Sequence, residues 1–330
     1  MARAKGYEAG YATGHAATPD TPRQLITTAA QRFRKARLAY GHGTLNADDE
    51  AAWLMVHALG CPFEALAERI DQPISAAIAQ RALRLFERRI IERIPAAYLT
   101  SEAWLGKHRF HVDPRVIVPR SYIAELLRDR LHPWWSARKP PHTMLDLCTG
   151  SACLAIVAAH TYPLAQVDAV DVSAPALTVA RRNVREHQLG KRVALIRSNL
   201  FASLTGKRYD LILTNPPYVR AQVMRKLPAE YRHEPELALH GGSDGLDLVR
   251  RILDEAGAHL NPQGWLVLEV GHNRARVERA FPTLPFIWAE TSGGDDCVAL
   301  LQKAALPADQ AASGLQSRPA GVRRRRMSAP

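Results

Sequence analysis

The sequence predicts an α/β fold: a mostly parallel sheet of seven strands with helices on both faces, preceded by a small helical domain that a β-hairpin joins to it. Three observations predict it. From Thr143 onward, short apolar runs alternate with stretches of helical period, the pattern of a parallel sheet with crossover helices. Residues 23–94 read as helices. Between these regions, residues 95–120 break into short apolar or alternating runs separated by Gly106 and Asp113-Pro114, the pattern of a hairpin.

Composition sets the bounds. The chain has 330 residues, 47% of them apolar, enough for one large domain and a smaller one. No run of apolar residues is long enough to span a bilayer, and the N-terminus has no signal-peptide core, so a cytoplasmic protein with no membrane partner is expected. Cys61, Cys148, Cys153 and Cys297 form no Cys-x-x-Cys pair, which indicates neither a zinc site nor a disulfide framework. The formal net charge of +12 favours an acidic partner, RNA or a ribonucleoprotein. Part of that charge is the run Arg323-Arg324-Arg325-Arg326, and charge alone does not imply direct nucleic-acid readout.

In chain order, residues 1–22 read as a disordered leader. Thr21-Pro22 begins a helical region in which Leu25, Ala29, Phe33 and Ala36 recur at helical spacing. Asn46 can cap the next helix, whose early acids suit the helix dipole and which stops at Gly60. Another helix follows Ser75 and runs to Arg93. In the 95–120 hairpin, Ala97-Tyr98-Leu99, Ala103-Trp104-Leu105, Phe110-His111-Val112 and Val116-Ile117-Val118 are the candidate runs. His108 and His111 are read there as alternate residues of an exposed hairpin rather than as metal ligands. The expected strands of the domain over 121–303 are Thr143–Leu147, Gln166–Asp171, Arg192–Arg197, Tyr209–Thr214 and Gly264–Val270. Phe286–Glu290 and Cys297–Gln302 suit an edge hairpin. The helices between are Tyr122–Leu131, Ala152–His160, Ala174–His187 and Leu246–His259. Residues 304–330 lack a core pattern and read as a disordered basic tail.

Two stretches carry chemistry. Asn215-Pro216-Pro217-Tyr218 follows a buried-strand pattern, and its prolines stop the strand and restrict Asn215 to extended backbone. The side-chain oxygen of Asn215 and the carbonyl of Pro216 can both accept from one planar –NH2 group, and Tyr218 offers it an aromatic face. A planar nitrogen is a poor nucleophile, so acceptors that hold its hydrogens would also stabilise the charge that develops as it attacks. The bland alternative is turn punctuation. The second stretch, Asp146-Leu147-Cys148-Thr149-Gly150-Ser151-Ala152, is a strand end, a small-residue loop and a helix start. It lacks Gly-x-Gly-x-x-Gly and the phosphate-loop pattern, which disfavours a pyrophosphate ligand. Asp146 is placed for a cationic ligand group. Asp171 follows it at the next strand end, 171 − 146 = 25 positions on, where a carboxylate takes ribose hydroxyls. Asn199 and Leu200 follow the third strand and would flank an adenine. A ribose-binding acid, no pyrophosphate loop and an aimed –NH2 acceptor together point to S-adenosylmethionine and methyl transfer to a planar nitrogen.

At Asp146-Leu147-Cys148-Thr149-Gly150, Val170-Asp171 and Asn215-Pro216-Pro217-Tyr218 the chain resembles the class I (Rossmann-like) S-adenosylmethionine-dependent protein-glutamine methyltransferases, over residues 25–303. Ala97–Trp104, Val118–Ser121 and Tyr231–Leu239 look like the branch that modifies a large-subunit ribosomal protein, uL3, free or in the assembling subunit. The resemblance implies that Cys148, Thr149, Gly150, Ser151 and Ala152 wrap the methionine part of the cofactor, with Asp171 on the ribose and Asn199 and Leu200 at the adenine. It implies that Asn215, Pro216, Pro217 and Tyr218 hold the glutamine amide beside the cofactor, and that no metal is required. Ala152 stands where the family usually has glycine, and Asn199 where it commonly has Asp. Alternatives are glutamine methylation of a release factor, amino methylation of adenine in DNA or RNA, and a non-catalytic ribosome-assembly factor. A weak rRNA contact through the basic surface is compatible with the first reading.

Overall fold

The structure, a computed structural model, describes residues 20–135 and 139–307. The expected leader lies outside the described residues up to residue 19, while Pro22 already belongs to a helix. Of the expected tail, residues 308–330 lie outside them. The chain divides into two compact units, Met1–Thr100 and Ser101–Pro330.

The first unit contains α1 (Pro22–Lys35), α2 (Ala47–Leu59), α3 (Leu66–Arg69), α4 (Ala76–Ile91) and α5 (Ala96–Thr100). Thr21 and Gln24 form a reciprocal capping box on α1, and Asn46 Oδ1 accepts from the Asp49 N–H at 2.9 Å at the start of α2. Apolar faces meet in a core where Phe33 and Phe86 pack edge to face, 5.9 Å apart. Buried in the same unit, Arg89 Nε donates to Glu50 Oε1 at 2.6 Å, and Arg89 Nη2 donates to the Ala39 carbonyl at 2.8 Å. The run Ala97–Leu99, expected within a hairpin, is helical. Pro95 opens a turn that accepts from the Tyr98 N–H, and the Thr100 hydroxyl bonds back to the Ala96 and Ala97 carbonyls.

In the second unit the hairpin is shorter than expected: β1 (Glu102–Leu105) pairs antiparallel with β2 (His108–His111). Val116–Val118 adds no strand. The Asp113 carboxylate turns the chain by accepting from the Arg115 N–H, and the Val118 N–H donates to the Glu234 carboxylate instead of a ladder. After α6 (Ile123–Arg128) come β3 (Thr143–Leu147), α7 (Cys153–Thr161), β4 (Gln166–Asp171), α8 (Ala174–Glu186), β5 (Val193–Arg197) and β6 (Tyr209–Thr214). They are followed by α9 (Ala221–Met224), α10 (Asp247–Ala256), β7 (Leu260–Glu269), α11 (Arg274–Ala280), β8 (Ile287–Thr291) and β9 (Gly294–Gln302). The seven strands run in the order β5-β4-β3-β6-β7-β9-β8. The first five are parallel, and β9 and β8 close the sheet as an antiparallel edge hairpin.

This order fixes where a ligand can enter. β4 and β6 flank β3 on opposite sides, and their connections leave in opposite directions, which opens a crevice at the carboxyl edge between them. Leu147 pairs with Val170 on one side and with Thr214 on the other. The residues just beyond those three, Cys148, Asp171 and Asn215, therefore emerge together. The sheet is held by an apolar core that includes Leu145, Ile212, Leu266 and, from α10, Val249 and Ile252.

Candidate active site

A cavity of about 290 Å³ opens at this crevice. Its wall includes Cys148 and Gly150, then Asp171, Val172, Ser173 and Ala176, then Ser198, Asn199 and Leu200, then Asn215 and Pro217. Arg115, Val116 and Ile117 also line it, with Pro235, Leu237, Ala238 and Leu248.

The first loop gets its shape from left-handed backbone. Cys148, Gly150 and Ala152 have φ of 59°, 53° and 63°, and only one of these is the glycine that such a conformation favours. Ala152 is the residue before the first turn of α7 and is fully buried. Asp146 lies beneath this loop. Its Oδ2 accepts from the Thr149 hydroxyl at 2.5 Å and from the Ala155 N–H at 3.0 Å, so it ties the loop to α7. Burial pushes its carboxyl up to about 7. Asp146, Thr149, Ser151 and Ala152 are buried and do not line the cavity. The expectation that Asp146 faces a cationic ligand gives way to a carboxyl that shapes the loop from below. Asn183, which the sequence reading passed over, donates to the Ser151 carbonyl at 2.9 Å and clamps the loop from α8.

Asp171 is held at the lip. Gly150 N–H donates to its Oδ2 at 2.9 Å and Ser173 N–H donates to its Oδ1 at 2.8 Å. Each oxygen keeps a further acceptor position, which suits two adjacent hydroxyls. Burial raises its pKa, against the pull of those backbone donors. Leu200 is buried with φ of 50°, and Asn199 Oδ1 accepts from Arg251 Nη1 at 3.1 Å.

In the same wall Asn215 and Pro217 border the cavity, and Pro216 is buried. The segment that follows is clasped by its own chain. The Val219 N–H donates to the Leu239 carbonyl, and the Gly241 N–H donates to the Val219 carbonyl, both at 2.8 Å. A Cβ on Gly241 would lie 2.7 Å from Tyr218 Cα and 2.8 Å from the Pro217 carbonyl oxygen. Gly271 has φ of +54°, and a Cβ there would lie 2.6 Å from the Tyr218 ring. Neither glycine was a candidate in the sequence reading. The signal present was Gly241-Gly242 shortly after the proline loop, and Gly271 directly after a strand.

Around Tyr218 stand charged groups that the sequence reading did not single out as site residues. Glu234, with no side-chain exposure, accepts two bonds from Arg120 at 2.6 Å each. Burial alone would lower the Arg120 pKa, but the hydrogen bonds and charge of Glu234 outweigh it and raise it. Glu269 ends β7; its Oε2 accepts from the Ser121 hydroxyl at 2.5 Å and the Tyr122 N–H at 3.0 Å, and no donor reaches its buried Oε1. Burial pushes its carboxyl up to about 7. The Tyr218 hydroxyl is raised as well, by burial first and by Glu269 second.

Comparison with known proteins places this geometry. Residues 130–230 match the model of the methyltransferase small domain, and residues 24–100 match the PrmC N-terminal domain. A ribosomal protein uL3 glutamine methyltransferase of Neisseria meningitidis is 53% identical over 283 residues, 86% of this chain and 93% of the relative. The protein of the same name in Bordetella pertussis is also 53% identical, covering 86% of this chain and 95% of the relative. The one in Burkholderia pseudomallei is 50% identical over 295 residues, 87% of this chain and 96% of the relative. The chain belongs to the ribosomal protein uL3 glutamine methyltransferases. It is thus a methyltransferase with the Rossmann-like fold that the strand pattern predicts. In this methyltransferase the predicted residues that meet at one cavity are Cys148, Gly150, Asp171, Asn199, Leu200, Asn215 and Pro217. Among the described residues no helix is long and apolar enough to cross a membrane.

Proposed function

We propose that the chain transfers a methyl group from S-adenosylmethionine to the side-chain amide nitrogen of a glutamine in the large-subunit ribosomal protein uL3. The observation that carries this reading is the joint presence in one cavity wall of Asp171 and Asn215, at the tips of strands on opposite sides of β3. The cavity suits the cofactor: Asp171 has acceptor positions left for two ribose hydroxyls, and Leu200 and Leu248 give an apolar surface for a base with Asn199 at its edge. Cys148 and Gly150 would border its amino-acid part, with Thr149, Ser151 and Ala152 keeping that loop in shape. When bound, the cofactor's sulfonium would supply an electrophilic methyl group, with a neutral thioether as the leaving group.

The chain's own contribution is to the acceptor. Asn215 Oδ1 and the Pro216 carbonyl would each accept an N–H of the glutamine amide and aim its nitrogen at the methyl carbon, with Tyr218 covering the amide plane. The N–C bond forms as the S–C bond breaks, and the nitrogen, now acidic, releases a proton to water. Asn215→Ala should lower kcat by about 10²-fold, with affinity for S-adenosylmethionine kept within a few-fold. A collapse of cofactor affinity in parallel with activity would overturn the assigned role.

The substrate is tested by offering labelled S-adenosylmethionine with uL3, with a release factor and with total RNA, and mapping the methyl by mass spectrometry. Label on a uL3 glutamine supports the proposal. Label on a release factor keeps the chemistry and changes the substrate; label on RNA replaces the amide by the adenine amino group. The same assay with assembling large subunits tests for an rRNA contact, which would appear as faster turnover that is lost at high salt.

A further inference from the structure

Three histidines that the proposed reaction does not use meet on the second unit. His108 opens β2, His160 lies in the last turn of α7, and His187 caps the carboxyl end of α8. The expectation of hairpin histidines alternating in solvent fails for His108, because α7 and α8 each bring a ring to it. His108 stacks on His160 with centroids 4.8 Å apart, and His160 Nε2 lies 3.3 Å from His187 Nδ1. One ring nitrogen from each residue lies within 4.8 Å of the other two. His187 Nε2 faces the Arg109 carbonyl at 2.8 Å. A carbonyl only accepts, so Nε2 carries the proton, and in the neutral ring Nδ1 is the nitrogen left to turn a lone pair toward His160. The Phe110 ring, 5.2 Å away, supports the imidazole from the side.

We propose that His108, His160 and His187 form a binding site for a divalent transition metal of the zinc type, with a fourth position for water. Imidazole nitrogens bind zinc tetrahedrally at about 2.0–2.1 Å, which sets the edge of the tetrahedron at about 3.3 Å. The His160–His187 separation already has that value. His108, now stacked on His160 with a ring nitrogen within 4.8 Å of the other two, would have to rotate out of the stack to take the third vertex. The bond from His187 to a backbone carbonyl is the outer contact that fixes the tautomer and plane of metal-binding histidines. Three nitrogens and no carboxylate favour zinc, copper or nickel over magnesium and calcium, which demand oxygen. The positive charges of Lys107, near His108 and His160, and of Arg192, near His160, would weaken the hold on the ion. A bound metal would fasten the 102–111 hairpin to the carboxyl ends of α7 and α8. The same α8 carries Asn183, the clamp on the cavity loop.

The test uses the untagged full chain, stripped with chelator, and titrates zinc chloride and magnesium chloride by calorimetry and by melting. His272, Asp296 and Cys297 also bring three ligand atoms together, and Cys297→Ser separates that group from this one. Zinc should raise the melting temperature and magnesium should not. His160→Asn, an exposed substitution, should weaken zinc binding at least tenfold and remove the shift, and Cys297→Ser should leave both intact. Should His160→Asn lower the melting temperature of the metal-free chain, His108→Gln replaces it. Cobalt(II) bound at the site should show d–d bands without thiolate charge transfer. Absence of zinc binding, zinc affinity unchanged in the histidine variant, or a cobalt thiolate band lost in Cys297→Ser would overturn the proposal.

Discussion

Glu269 is a carboxyl group at the tip of β7 with one oxygen paired and the other buried without a donor. Its folded-state pKa of about 7 lies above its ordinary value of 4.5 because burial disfavours the charge. The stability it contributes is fully present below about pH 4.5 and is lost as pH rises through about 7. Glu269→Gln keeps an acceptor for Ser121 and Tyr122 and removes that proton. Wild type should therefore lose stability between pH 5 and 7 on the order of 1 kcal/mol per pH unit more than the variant, read by urea denaturation at a series of pH values. Equal slopes would mean that Glu269 stays ionised. Residues differ in how openly they announce themselves. Asn215 is legible because two prolines fix the backbone around it, and Asp171 because strand tips recur at a set interval. Leu268-Glu269-Val270 reads the same whether its acid meets water or the core. Gly241 and Gly271 are legible only when the Tyr218 ring and backbone they admit are in view.

At the scale of elements, helical spacing made the first unit readable: Leu25, Ala29 and Phe33 on α1 do face the core. Arg89 was not readable. It stands in the sequence Glu87-Arg88-Arg89, and nothing local separates the fully buried arginine from its exposed neighbour. Its burial depends on α2 supplying Glu50 and on the Ala39 carbonyl, contacts some forty to fifty residues distant in sequence. Removing one partner of a buried pair leaves the other uncompensated, so Arg89→Met should cost on the order of 3 kcal/mol in chemical denaturation. Arg23→Met, at the exposed pair with Asp71, should leave stability within error. Equal effects from the two substitutions would contradict the burial argument. The helical stretch Ala96–Thr100 departs from the expected hairpin for a related reason. Ala-Tyr-Leu suits either period over so short a run, and Pro95 with the Thr100 hydroxyl decides it.

For the whole molecule, strand–helix alternation gave the parallel sheet but not the pairing order, which depends on contacts between distant segments. The fold also extends past residue 303, where the sequence pattern of a core ends. Leu306 is buried in the core of the sheet, although its flanking Ala and Pro residues resemble those of a tail. A chain ending at residue 303 should therefore be less stable than one ending at 307 by on the order of 2 kcal/mol, seen as a lower melting temperature. Identical melting would show that Leu306 contributes nothing. The pocket bears on the same balance. Cys148, Ala152 and Leu200 hold left-handed backbone without being glycine, at about 1–2 kcal/mol each. Together they offset about 3–6 kcal/mol of a net stability that for a domain is only about 5–15 kcal/mol. A lineage of this protein adapting to heat would find gains at these three positions, two in the pocket wall and Ala152 buried beneath it, and each gain would soften the loops that shape the pocket. At these three positions, heat tolerance and the shape of the pocket draw on the same residues.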